Sequence, residues 1–146
     1  KPANILLEKE GGRITRVKLA DFGLARVYEE SELSGLTMEG DVGGTPGYMP
    51  PEQITDFRDV KPSADQYSAA ATLYHLVTGH HVYDVPESFG EMVSLVLTQP
   101  PVPMLKRDPS LPRGLSEVVH KALSRDPKDR YPDAEAFRKA LRPFGD

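Results

Sequence analysis

The chain has 146 residues, with 18 Lys and Arg against 22 Asp and Glu, a formal net charge of −4 and no cysteine. That length supports one domain with a buried core, the scattered basic residues lack the footprint of a nucleic-acid binder, and disulfides and thiolate metal sites are excluded. No apolar run approaches the ~20 residues that span a bilayer, and the first residues do not resemble a signal peptide, so the segment reads as soluble, with no membrane contact of its own.

Ile5 to Glu8 and Ile14 to Ala20 are short β-branched or Leu-containing runs around Gly11-Gly12, and they predict a hairpin. From Leu24 to about Pro51 the chain is rich in Gly, Ser, Thr and Glu without periodicity, which predicts a long functional loop, followed by a short helical turn at Glu52 to Ile54. Ser63 to Thr78 carries the strongest helical pattern: Ser63 can cap, Tyr67, Ala70, Ala71, Tyr74 and Val77 recur at steps of three and four, and Gly79 stops the helix. A second helix is predicted over Ser88 to Leu97, with Phe89, Met92, Val93, Val96 and Leu97 inward. Pro100, Pro101, Pro103, Pro109 and Pro112 then predict a stiff, extended connection. The last helices are expected from about Ser116 to Ser124, burying Val118, Val119, Ala122 and Leu123, and from Asp133 to Leu141, burying Ala136, Phe137, Ala140 and Leu141. The four histidines lack the spacing of a metal site.

Two residues offer hard oxygen donors of the kind Mg²⁺ prefers: the amide of Asn4 in Lys1-Pro2-Ala3-Asn4 and the carboxylate of Asp21 in Asp21-Phe22-Gly23. Alone, Asp21 reads equally as a turn aspartate before glycine, and Lys1 as a solvated terminus. Downstream come Gly44-Thr45-Pro46-Gly47-Tyr48-Met49-Pro50-Pro51-Glu52, then Asp65-Gln66-Tyr67-Ser68-Ala69-Ala70, then Asp126-Pro127-Lys128-Asp129-Arg130. In that order the five motifs resemble the C-terminal lobe of a protein kinase, and most nearly the bacterial, receptor-like serine/threonine group. Pro50 stands where alanine is usual, and Ala70 where glycine is commoner.

The resemblance implies a mainly α fold: a kinase-like C-terminal lobe with a small β-hairpin and a long activation segment, spanning residues 1–146 and starting inside the catalytic loop. The catalytic Asp would lie two residues before Lys1, so the piece is expected to lack the base and the N-terminal lobe and not to catalyse by itself. In the parent, Asp21 would bridge Mg²⁺ to the phosphates of ATP, Asn4 would hold a second metal ion, and Lys1 would stand by the transferring phosphoryl group. Thr45 would hydrogen-bond Lys1 and the base, and with Lys1 implies serine/threonine rather than tyrosine specificity. Phe22, Gly23, Thr37, Thr45 and Glu52 belong to the activation segment, and Thr37 stands where relatives are phosphorylated. Glu39 reads either as a fixed charge replacing a second phosphothreonine or as a solvated glutamate. A buried Asp65 would take backbone hydrogen bonds from the loop carrying Lys1 and Asn4, or be an ordinary first-turn aspartate. Arg130 would pair with Glu52. The implied partners are ATP and a protein substrate, with room for a kinase dimer in the parent. The expected location is cytoplasmic, with any tether outside this segment. The rival reading is a pseudokinase or scaffold that binds protein partners without transferring phosphate; retention of Lys1, Asn4, Asp21 and Thr45 speaks against it.

Overall fold

The computed structural model describes residues 1–20, 46–56, 60–84, 86 and 88–145. A 3₁₀ turn at Pro2–Asn4 leads into β1 (Ile5–Glu10), which pairs antiparallel with β2 (Arg13–Leu19). The connection is Gly11-Gly12, with φ of 57° and 82°. Both values lie in the left-handed region, where a side chain meets its own backbone, and a two-residue turn with positive φ at both positions matches the twist of the strands it joins. The register runs from Ile5 opposite Leu19 to Glu8 opposite Arg16, then shifts so that Lys9 faces Ile14; Thr15 is the extra residue. Its hydroxyl donates to the Glu8 carbonyl at 3.3 Å. Leu6, Leu7, Val17 and Leu19 stay exposed on this ribbon.

Among the described residues the remaining longer elements are helices: α1 (Pro51–Thr55), α2 (Ser63–Thr78), α3 (Phe89–Thr98), α4 (Met104–Arg107), α5 (Arg113–Ala122) and α6 (Ala134–Leu141). The long helix α2 is the axis of the core. Its Tyr67, Ala70, Ala71 and Tyr74 are buried, and the two alanines let neighbouring elements approach closely. Around them pack Met92 and Val96 of α3, Met104 of α4, Leu115, Val119 and Ala122 of α5, then Leu123, and Phe137 of α6. Buried hydroxyls are satisfied locally: Tyr74 donates to the Val102 carbonyl at 2.9 Å, and the Tyr67 and Tyr83 hydroxyls lie 3.3 Å apart. Burial pushes the Tyr67 phenol well above its ordinary range, and the Tyr83 hydroxyl beside it adds to the shift. None of the described helices is long and apolar enough to cross a membrane.

Helix ends show where local chemistry decided. Ser88 accepts the Glu91 N–H at 3.2 Å and Asp133 accepts the Ala136 N–H at 2.7 Å, so each sits one residue before its helix as an N-cap. Gly79 ends α2 at φ 72°, its N–H bonded to the His75 carbonyl at 2.9 Å. Gly79→Ala is expected to destabilise the protein by about 1–2 kcal/mol, read as a lower urea midpoint with unchanged slope. A shift under ~0.3 kcal/mol would show that the turn relaxes freely.

Several expectations about the helices need correction. Ser63 does not cap α2; Pro62 takes the N-cap position, and no side chain caps that end. The proline-rich connection is not wholly extended, because Met104 is fully buried and the four-residue α4 forms around it. The fifth helix begins at Arg113, directly after Pro112, and ends at Ala122 rather than Ser124. Its buried face takes in Leu115 and Ser116 as well as Val119 and Ala122, with Val118 only half-buried.

Candidate functional site

The first cluster of residues that carry candidate chemistry lies at the start of the chain. The Asn4 N–H donates to the Lys1 carbonyl at 2.9 Å, closing the 3₁₀ turn, and Pro2 suits its first position because its missing N–H needs no partner there. The Ala20 N–H in turn donates to the Asn4 carbonyl at 2.8 Å. That bond continues the β1–β2 ladder beyond the Ile5–Leu19 pair and holds Asn4 against the residue that precedes Asp21 in the chain. The turn packs against α2. The Asn4 side chain is half-buried and Lys1 is exposed. Asp21, Phe22, Gly23, Thr37, Glu39 and Thr45 lie outside the described residues.

The motif around Asp65 implies a carboxylate buried against this turn, but Asp65 is exposed. Ala64, Gln66 and Tyr67 take the inward positions of the first turn of α2, which leaves Asp65 facing outward.

A second cluster joins residues 78 positions apart. Arg130 sits just past a 3₁₀ turn at Pro127–Asp129 whose N-cap, Asp126, accepts the Lys128 N–H at 2.9 Å. Its guanidinium pairs bidentately with Glu52, Nη1 to Oε1 at 2.6 Å and Nη2 to Oε2 at 2.8 Å. The remaining N–H groups donate to three carbonyls: Nε to Ser124 at 2.8 Å, Nη1 to Ser63 at 2.9 Å and Nη2 to Arg125 at 3.3 Å. All five donors are satisfied, and the guanidinium lies over the Tyr67 ring at 5.2 Å. The arginine side chain is 0% exposed and the Glu52 side chain 23%. One buried cation therefore ties α1, the start of α2 and the loop after α5 together.

A third cluster joins Tyr48 and Ser68, each from one of the sequence motifs, to two histidines that belong to none. The residues before α1 form a 3₁₀ turn at Pro46–Tyr48 lying on α2 and α3. Ser68 donates to the Tyr48 carbonyl at 2.8 Å, and the Tyr48 hydroxyl lies 2.6 Å from His75 Nδ1. His81 closes over both, its ring centroid 4.4 Å from that of His75 and 5.4 Å from that of Tyr48. The reversal at Gly79 brings His81 back against the last turn of α2, a pairing at a spacing of six that no helical or metal-site pattern signals. Elsewhere, burial lowers the His120 pKa, and its neutral Nε2 accepts the Met104 N–H at 3.0 Å. Among the described residues no three His, Cys, Asp or Glu side chains are placed to hold a metal ion.

Comparison with known proteins covers almost the whole chain. Residues 1–141 match the protein kinase domain family. Serine/threonine-protein kinase PknF of Mycobacterium tuberculosis is 38% identical over 141 residues, 97% of this chain and 29% of that protein. Serine/threonine-protein kinase pkn3 of Myxococcus xanthus is 33% identical over 144 residues, 97% of this chain and 26% of the relative. Serine/threonine-protein kinase PknJ of Mycobacterium tuberculosis is 35% identical over 143 residues, 96% of this chain and 23% of the relative. The chain thus spans about a quarter of the length of these relatives.

Proposed function

This chain belongs to the protein kinase family, and from that premise we propose that it forms the C-terminal-lobe part of a serine/threonine protein kinase. The full protein would transfer the γ-phosphoryl of ATP, with Mg²⁺, to hydroxyls of a protein substrate. The observation that carries this reading is the Ala20 to Asn4 hydrogen bond, which holds one candidate oxygen donor beside the residue leading into the other, Asp21.

The donor chemistry fits the metal. An amide oxygen and a carboxylate are hard ligands of the class Mg²⁺ takes, with no imidazole or thiolate among them. Mg²⁺, when bound, neutralises phosphate charge and lines up the γ-phosphoryl group for in-line transfer. In this reading Asn4 and Asp21 hold it, and the Lys1 ammonium supplies a point charge where negative charge develops. Thr45 positions Lys1 through its hydroxyl. Glu52, locked by Arg130, fixes the end of the segment on which the substrate would lie. Thr37 is the proposed phosphorylation site, where a phosphate adds nearly two negative charges to a loop.

The test is phosphoryl transfer by the full-length protein from labelled ATP and Mg²⁺ to a general protein substrate, followed by phosphoamino acid analysis and mapping of the enzyme's own phosphates. Label on serine or threonine but not tyrosine, with Thr37 among the modified residues, is the expected result. No transfer from folded protein would favour a partner-binding scaffold instead.

A further inference from the structure

The segment ahead of α1 is fastened by a histidine pair, and that fastening has its own chemistry. Tyr48 is only 7% exposed. Its hydroxyl, 2.6 Å from His75 Nδ1, donates to that nitrogen when the imidazole carries its proton on Nε2. The Tyr48 and His75 rings are parallel to within 2°, their centroids 6.0 Å apart, and His81 meets both edge-on. His81 Nδ1 is buried and finds no hydrogen-bond partner. It faces the Gly47 backbone so closely that a Cβ built there would lie 3.3 Å from it. Met92 of α3 closes the same spot, 3.9 Å from that Cβ position, and brings no charge.

We propose that His75 and His81 are positioning residues that act as a proton-operated latch: neutral, they hold Gly47 and Tyr48 in place, and protonation of His81 releases them. As a bare acceptor, a buried ring nitrogen without a partner already carries the cost of a lost hydrogen bond, and protonation adds a charge to it. Protonated, it becomes a buried N–H with nowhere to donate, a cation 4.4 Å from a second imidazole ring. The cheapest relief is movement of what lies against that nitrogen, namely Gly47 and, through it, Tyr48. Burial, with His75 adding to it, lowers the His81 pKa below the ordinary imidazole value. The sign follows: with the folded value depressed, the closed state is fully favoured above the ordinary histidine pKa of about 6.5 and weakens as pH falls below it.

Among the described residues no other charged group relieves this. Asp84 is engaged by Arg107 at 2.6 Å, Glu91 is exposed on the first turn of α3, and His80 is exposed beyond the Gly79 turn.

Hydrogen exchange on the full-length protein between pH 7.5 and 5.5, corrected for the intrinsic pH dependence, reads the latch without any reliance on catalysis. Exchange in the peptide containing Gly47 to Met49 should rise by about tenfold toward the acid end, and His81→Asn, which cannot titrate, should flatten the profile. Flat protection in the wild type, or an unchanged profile in His81→Asn, overturns the proposal. Should that variant not fold, histidine NMR on the wild type decides. A depressed His81 titration that moves the Gly47 and Tyr48 amides supports the latch, and a His81 that titrates at the ordinary imidazole value, without moving them, overturns it. Failure of phosphoryl transfer would leave this result standing, so the two readings are separable.

Discussion

Replacing Arg130 with alanine is expected to destabilise the protein by about 3–5 kcal/mol, among the largest losses available from one side chain. The reason is the number of groups that one guanidinium serves. Its removal strands the Glu52 carboxylate, which has both oxygens engaged and a side chain only 23% exposed. It also unpairs the carbonyls of Ser124, Ser63 and Arg125, and leaves an apolar gap over the Tyr67 ring. Lysine is not a substitute, because an ammonium has three donors and no planar fork. Arg130→Lys should therefore recover only part of the loss, even though it keeps the charge. Denaturant melts of the wild type, Arg130→Ala, Glu52→Gln and the double variant form a cycle that separates charge pairing from packing. A coupling energy below about 0.5 kcal/mol would show that the carbonyls and the Tyr67 contact dominate, and that Glu52 is replaceable.

This pair also marks how far the sequence can be read. Glu52 and Arg130 each stand in a motif of the kinase resemblance, and it is that resemblance, not spacing, that names the partner; their meeting across 78 positions is legible only through it. The three carbonyls are not, because backbone acceptors carry no side-chain signature. The axis of the core is legible for a different reason: Tyr67, Ala70, Ala71 and Tyr74 repeat at helical spacing, and only a helix buries all four together. Ser88 and Asp133, expected as the first residues of their helices, are instead the caps that precede them, and Ser63 fails as a cap because Pro62 already occupies that position. The short α4 is hidden, since four residues between prolines are too few for any period, and its cause is the burial of Met104 by distant elements. Asp65 is not decided by its motif, which fits either a buried orienting carboxylate or a first-turn aspartate; which side of a first turn faces inward is settled by packing, and here Ala64, Gln66 and Tyr67 take the inward positions. The histidine cluster depends on the direction in which the chain leaves Gly79, and tertiary geometry of that kind has no one-dimensional trace.

On the proposed kinase reading, Asp21→Ala is expected to lower phosphoryl transfer by the full-length protein roughly 10²–10³-fold, the scale of several kcal/mol of charge stabilisation lost from the transition state. Asn4→Ala should cost less. Both residues supply oxygen, but a carboxylate brings a full negative charge to a divalent cation and an amide brings only a dipole. The two variants should also respond differently to metal concentration. With Asp21 in place, extra Mg²⁺ offsets weakened binding at the second position, so Asn4→Ala should recover part of its activity as Mg²⁺ is raised, while Asp21→Ala should not. A structural role for Asn4 predicts another pattern. Its backbone carbonyl, which alanine retains, is the acceptor for the Ala20 N–H, so the hairpin register should survive the substitution. Loss of activity in Asn4→Ala with an unchanged melting transition would therefore locate the defect in the side-chain oxygen. Full activity of Asp21→Ala at every Mg²⁺ concentration would remove Asp21 from the metal site, and with it the proposed division of labour between the hairpin's two ends.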